Sequence, residues 1–350
     1  MKIRILVALL IVLTLSGCDM SFVVPTPTPI PSKTPIPTLR FSCSPNCTYE
    51  DMTVAFIQTQ SEGSWMRRNY FSLNETAHNL GIRLMKFEPR YIIVNPHETF
   101  LDQQRAFREF IADGDVDVIV INAFESMGWD ETLWEAKAAG KIVIFEYLRV
   151  DAPEELYDTF VGSDYVEEGR KAGREMIEWL ADALNKNVVE LAGDASSPIA
   201  HDRGRGFREG IEGSDITIIR SETANWSAQE GKQAMETILM ETKDIQGVFV
   251  QNDEMAYGAV EAIKEAGLIP GIDIIVVSID ASRVAYELLI VGESNVTVEC
   301  NPDLATLIYE AALKAMNGEE LPRWIIPEEG VLNVLMPDLY DIYRTRFPLE

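Results

Sequence analysis

Seven residues stand at or just beyond the ends of β-forming runs, and their types suit a binding site. Trp65 follows the first run, Glu146 ends the fourth, and Arg203 follows the sixth. Trp226 lies next to the seventh, Asn252 to the eighth, Asp280 ends the ninth and Glu299 the tenth. Carboxylates accept pairs of hydroxyl donors, and Arg and Asn donate to hydroxyl and ring oxygens. An indole face covers an apolar C–H surface. This set fits a sugar or polyol. Covalent chemistry is less well served. Glu146 and Asp280 are available as an acid–base pair for glycoside cleavage, but no nucleophile motif accompanies them, so no enzyme is expected. His78, His97 and His201 are scattered, so neither a metal cluster nor a cofactor is expected.

Each position also has a plainer structural role. Trp65 could pack on the core at a helix start, and Arg203 could be a surface charge beside Asp202. Asp253 reads better as a helix cap than as a ligand contact. Asp280 could cap a following helix, and Glu299 could be a solvated hinge residue. Trp129 and Trp134 read as core and rim. The run 204–210 mimics a glycine-rich phosphate loop but falls inside a helical stretch, with no strand leading into it.

The elements that must position these residues alternate. Strands are expected at 52–58, 82–88, 116–122, 141–147 and 158–162, then at 187–193, 215–221, 247–253, 273–280 and 295–299. Several are continuous apolar runs, as in parallel strands buried on both faces. Helices are expected at 64–80, 98–113, 164–183, 226–242, 254–267 and 301–317, with Asp253 as an N-cap. Strand–helix alternation in two sets implies an α/β chain of two doubly wound parallel-sheet lobes, with ligand beyond the carboxyl ends of the strands. The expected N-lobe is 52–155 plus 300–328 and the C-lobe 156–299 plus 329–337, joined by three crossovers, with 338–350 as a tail.

The amino-terminal segment carries an address. Lys2 and Arg4 precede an apolar run and then Leu15-Ser16-Gly17-Cys18, the order of a secretory signal over residues 1–17. An ordinary signal peptide with a chance Cys would read the same way, but the four residues resemble a bacterial lipobox, which implies lipidation at Cys18 and anchoring to the outer face of a membrane. Residues 18–48 hold a Pro/Thr-rich spacer suited to extended polyproline II. Cys43 and Cys47 flank Ser-Pro-Asn and either form a small-loop disulfide or remain thiols. Cys300 is expected to be a buried small hydrophobe. The formal charge of −26 repels phosphate, which excludes nucleic acid as a partner and leaves lipid as the membrane contact.

The body resembles the periplasmic sugar-binding proteins of ABC importers, of the ribose-binding type and most like the galactofuranose-binding branch. The stretches that carry the likeness are 61–65, 128–140, 201–211, 250–274, 278–280 and 298–303, with VQNDEMAYGAVEAIKEAGLIPGIDI (250–274) the most specific. The resemblance implies a type I periplasmic binding protein fold and a monomer that captures a monosaccharide and delivers it to an ABC permease. A sugar-sensing receptor is the alternative. It also implies roles. Trp65 lies against the sugar, Arg203 bonds ring and hydroxyl oxygens, Asn252 sits at the hinge side, and Asp280 accepts hydroxyls. Glu299 stands near the last crossover and Trp226 caps the pocket. Two positions depart from the branch. Met66 stands where an Arg follows the aromatic, and Glu146-Tyr147 replaces an Asp-Arg pair.

Overall fold

The computed structural model describes residues 41–58, 63–87 and 96–347. Cys18 and the Pro/Thr-rich run lie outside them. The first sheet holds β1 (Thr53–Ile57), β2 (Arg83–Phe87), β3 (Val118–Asn122), β4 (Ile142–Glu146), β5 (Thr159–Val161) and β11 (Trp324–Ile325), in the order β11-β5-β4-β3-β1-β2. The second holds β6 (Asn187–Ala192), β7 (Thr217–Thr223), β8 (Gly247–Val250), β9 (Ile275–Asp280), β10 (Val296–Glu299) and β12 (Val331–Asn333), in the order β12-β10-β9-β8-β6-β7. All pairings are parallel except β10 with the edge strand β12, which is antiparallel.

Helices cover both faces of each sheet. They are α1 (Ser64–Leu80), α2 (Pro96–Ala112), α3 (Asp130–Ala138), α4 (Tyr165–Trp179), α5 (Pro198–Gly210), α6 (Ala228–Glu241), α7 (Asp253–Glu265), α8 (Arg283–Val291), α9 (Ala305–Met316) and α10 (Leu339–Arg346). The fully apolar strands follow from this layering, because a strand covered on both faces has no side that should be polar. One face of the first sheet packs Ala55 and Ile57 with Phe107, Trp129 and Leu133. The other packs Val54 and Phe56 with Leu73, Ala77, Ile308 and Tyr309. Trp129 is thus core, while Trp134 is exposed.

Two expected boundaries move. The first lobe does not end at 155, because β5 pairs with β4 in the first sheet; the chain crosses at Gly162–Asp164. A strand of three residues, second from the sheet's edge, leaves little sequence trace of which lobe it serves. The expected tail from 338 is not merely a tail either, since α10 buries Leu339 with Ala281, Tyr286, Leu289 and Leu332 of the second lobe. Cys43 and Cys47 are disulfide-bonded, and the free Cys300 is buried.

The three crossovers meet on one carboxylate. Glu329 Oε1, on the third, accepts from Ser163 Oγ of the first at 2.5 Å and from Asn301 N–H of the second at 2.9 Å. Lys171 Nζ donates to the Glu329 carbonyl at 2.8 Å.

α4 and α5 touch backbone to backbone, and this contact sets the site. A Cβ on Gly206 would lie 2.0 Å from the Val166 carbonyl oxygen, and one on Gly169 would lie 2.2 Å from the Arg203 carbonyl oxygen. Only glycine permits that approach. Gly206→Ala is therefore expected to push the helices apart and lower stability by about 1–3 kcal/mol. Urea unfolding followed by circular dichroism measures it, and an unchanged midpoint would show that the helices adapt freely.

Candidate ligand-binding site

The site is built at the carboxyl ends of the strands, where the two lobes face each other. Its centre is Arg203 on α5, only 4% exposed. Nε donates to Glu168 Oε2 at 2.8 Å, Nη1 to the Gln251 carbonyl at 2.6 Å, and Nη2 to Asp280 Oδ1 at 2.8 Å. A guanidinium has five N–H donors, so these bonds leave capacity for a further acceptor. Burial works against the Arg203 charge, but Glu168 and Asp280 more than offset it and hold the group cationic. Burial pushes both carboxyls up, and the guanidinium between them opposes the rise.

Aromatic rings surround this centre. The guanidinium carbon lies 5.8 Å from the Trp226 ring centroid and 5.6 Å from that of Tyr165, within cation–π range. Trp226 reaches there because residue 193 is glycine; a Cβ at that position would fall 2.0 Å from the indole. From the first lobe, Trp65 stacks at a tilt on Tyr147 with centroids 5.1 Å apart, and its Nε1–H donates to the Cys300 carbonyl at 2.9 Å. Tyr165 O–H donates across to the Tyr147 carbonyl at 2.5 Å. Burial raises the Tyr147 phenol well above its ordinary value, with Arg203 opposing.

The backbone here is strained. Among the described residues, the non-glycine positions with left-handed φ are Tyr147 (64°), Asn225 (47°), Trp226 (61°), Asp280 (120°) and Ala281 (51°). All follow or end β4, β7 and β9. Such conformations cost of order 1–3 kcal/mol each and cluster where a side chain must be aimed.

The remaining expected residues divide. Glu146 is fully buried in the first lobe, accepting from Asn69 Nδ2 at 2.9 Å and Asn122 Nδ2 at 3.1 Å. Asn252 is the N-cap of α7, accepting from Met255 N–H at 3.0 Å, and its Nδ2 donates to Glu254 Oε2 at 3.2 Å. Glu254 in turn accepts from Ser64 N–H of the first lobe at 3.3 Å. Asp253 is not the cap. It is buried, accepting from Ser278 Oγ at 2.6 Å, Thr297 Oγ1 at 3.0 Å and Ser282 N–H at 2.7 Å, because the helix begins one residue earlier than expected, which moves the capping position to Asn252. Glu299 is not brought to the Arg203 centre. It accepts from Gly330 N–H at 2.6 Å and pairs with Arg346 of α10.

Sequence reasoning missed Glu168, Tyr165 and Gln251, which lie within helices or at a strand end and carry no motif. Glu168, Cys300 and Glu329 converge, with ligand-type atoms within 4.8 Å of one another. Their bonds to Arg203, Ser163 and Asn301 make them a hinge fastening. A separate groove of about 610 Å³ runs between the lobes past Arg149, Tyr165, Asp202 and Trp324. None of the seven expected residues lines it, although Tyr165, whose ring flanks Arg203, does.

Burial lifts the Glu146 carboxyl from 4.5 to about 7 against its two amide donors. The folded value lies above the unfolded one, so its contribution is fully present below about 4.5 and is lost as pH rises through about 7. The loss is on the order of 3 kcal/mol. Glu146→Gln should flatten that part of the stability–pH curve, as read by thermal unfolding from pH 4.5 to 8. Asp253 and Glu329, also raised to about 7, keep the rest of the slope. An unaltered curve would mean that Glu146 is not buried in an uncharged setting.

Similarity to known proteins identifies the family. The galactofuranose-binding protein YtfQ of Escherichia coli is 35% identical over 82% of this chain and 88% of its own length. A Mycobacterium smegmatis protein solved with β-D-fucofuranose is 34% identical, with a TM-score of 0.74 over 85% of this chain and 94% of that one. The binding component of the arabinose ABC transporter of Shewanella sp. ANA-3, bound to α- and β-L-arabinofuranose, is 32% identical, with a TM-score of 0.76 over 85% and 96%. The periplasmic binding protein domain model matches residues 55–320, and the chain, built as two parallel-sheet lobes, belongs to that family.

Proposed function

We propose that this chain is a lipid-anchored extracytoplasmic receptor that captures a monosaccharide in its furanose form between the two lobes and delivers it to an ABC permease. The observation that carries the reading is the Arg203 centre. It offers spare guanidinium donors, the Asp280 carboxylate and the Trp226 ring, and Tyr165 beside it bonds Tyr147, on which the Trp65 ring packs. That combination pairs hydroxyl and ring oxygens on one side and covers C–H groups on the other. The furanose form is supported by relatives whose names and solved complexes carry galactofuranose, fucofuranose and arabinofuranose. Binding is the whole of the task. The ligand favours the closed state, and a permease can read closure without any bond being made or broken.

The test is a thermal-shift screen of the soluble body against pentoses and hexoses that populate furanose rings, with pyranose-locked glycosides as controls. A ligand at 100 times its dissociation constant adds about 2.7 kcal/mol. One monosaccharide is expected to raise the midpoint, and a blank across all sugars would overturn the reading. Arg203→Lys keeps the buried charge but loses the planar fork, so it should weaken the bound sugar about 100-fold while the protein stays folded. Unchanged affinity on calorimetric titration would remove Arg203 from the site. For the anchor, Cys18→Ser should move the protein from the membrane to the soluble fraction, and continued retention would contradict lipidation.

A further inference from the structure

A row of polar side chains crosses the first sheet at its carboxyl edge. Val54 and Phe56 of β1, Val118 and Val120 of β3, and Ile142 and Ile144 of β4 share the face packed against α1 and α9. Strand alternation puts Gln58, Asn122 and Glu146 on that same face, one step further along. Register agrees, with Ile57 paired to Ile121 and Asn122 to Glu146. Adjacent strands lie about 4.8 Å apart, so the three side chains stand side by side. Their exposures are 1%, 0% and 0%. Asn69 of α1, 1% exposed, closes on the row from the helix that also carries Trp65 one turn earlier.

The hydrogen bonds within this row are unevenly distributed. Asn69 and Asn122 both donate to Glu146, while Gln58 receives nothing. Its Nε2 and Oε1, together with Asn69 Oδ1, have no hydrogen-bond partner among the described residues. The Gln58 main chain is satisfied separately, its carbonyl accepting from Gln103 Nε2 at 3.1 Å. A buried amide with neither end paired destabilises the fold, and an apolar side chain of similar size would avoid that penalty. Here the amide stands at the strand end that faces the cleft, beneath the helix whose Trp65 covers the site.

We infer that Gln58 is a ligand-recognition residue. Its Oε1 accepts from one sugar hydroxyl and its Nε2 donates to a hydroxyl oxygen, with Asn69 Oδ1 accepting beside it. The inference rests on the sugar-receptor reading above. It adds a neutral first-lobe contact opposite the charged centre of the second lobe. A hydroxyl is both donor and acceptor, so a carboxamide matches it at either end. A site built to pair a hydroxyl rejects the analogue that lacks it, which makes Gln58 a determinant of which sugar is held.

The test is Gln58→Met, close in volume and without polar atoms. Wild type is first titrated with L-arabinose and D-galactose. No binding of either sugar to the wild type would overturn the receptor reading and the Gln58 assignment with it. With a sugar bound, the variant should bind it about 10- to 100-fold more weakly and show an equal or higher melting temperature without sugar. It should also lose the wild-type discrimination against the monodeoxy analogue lacking the hydroxyl that Gln58 reads. Unchanged affinity, or the same deoxy-sugar penalty in both proteins, would overturn the assignment. So would a fall in sugar-free stability without a fall in affinity, because the amide would then be paired inside the protein.

Discussion

The architecture of the cleft depends on one buried cation. Arg203 lies inside the second lobe with Glu168, Asp280 and the Gln251 carbonyl as its partners. Taking such charges out of water costs several kcal/mol per ion, and the cost is offset only if the geometry of the pairs is good. Good geometry here requires α5 to sit close to α4, and glycines at 169 and 206 allow it. The same node explains the strained residues. Asp280 and Trp226 adopt left-handed backbone where they must meet the guanidinium. The two carboxylates hold the cation, and the rings of Trp226 and Tyr165 flank it. The sum is a rigid polar wall facing the first lobe.

The opposite wall is of a different kind. The first lobe contributes neutral amides, a carboxyl lifted to about 7, and the stacked pair Trp65 and Tyr147. A charged wall meeting a neutral one suits a ligand with many hydroxyls and no net charge. The lobes are joined where Glu329 ties three crossover segments at one oxygen, so a rotation about the hinge must work against that fastening. Binding energy from both walls is what favours closure.

Much of this was legible in the chain. Continuous apolar strands and periodic helices gave two α/β lobes, and α1 spans 64–80 as expected. Arg203, Asp280 and Trp226 stand together because each follows a strand end, a position the fold makes functional. What was illegible depended on contacts between distant segments. Glu299 finds its partner in Arg346, on a helix that looked like a tail because its burial comes from α8. Glu168 sits mid-helix, where a carboxylate reads as solvated until Arg203 is placed beside it. Gln58 looked like the last residue of a strand, and only the pairing of β1 with β3 puts it in line with Asn122. The cap falls on Asn252 rather than Asp253 because a one-residue shift in helix start is within the uncertainty of any boundary read from sequence.

A crystal structure of the complex with the sugar that binds is the most direct measurement. The account predicts ring or hydroxyl oxygens within hydrogen-bond distance of the Arg203 guanidinium and the Asp280 carboxylate, with the Trp65 indole against the C–H face. A sugar lying instead in the groove beside Arg149 and Trp324, with Arg203 still bonded only to protein, would contradict it.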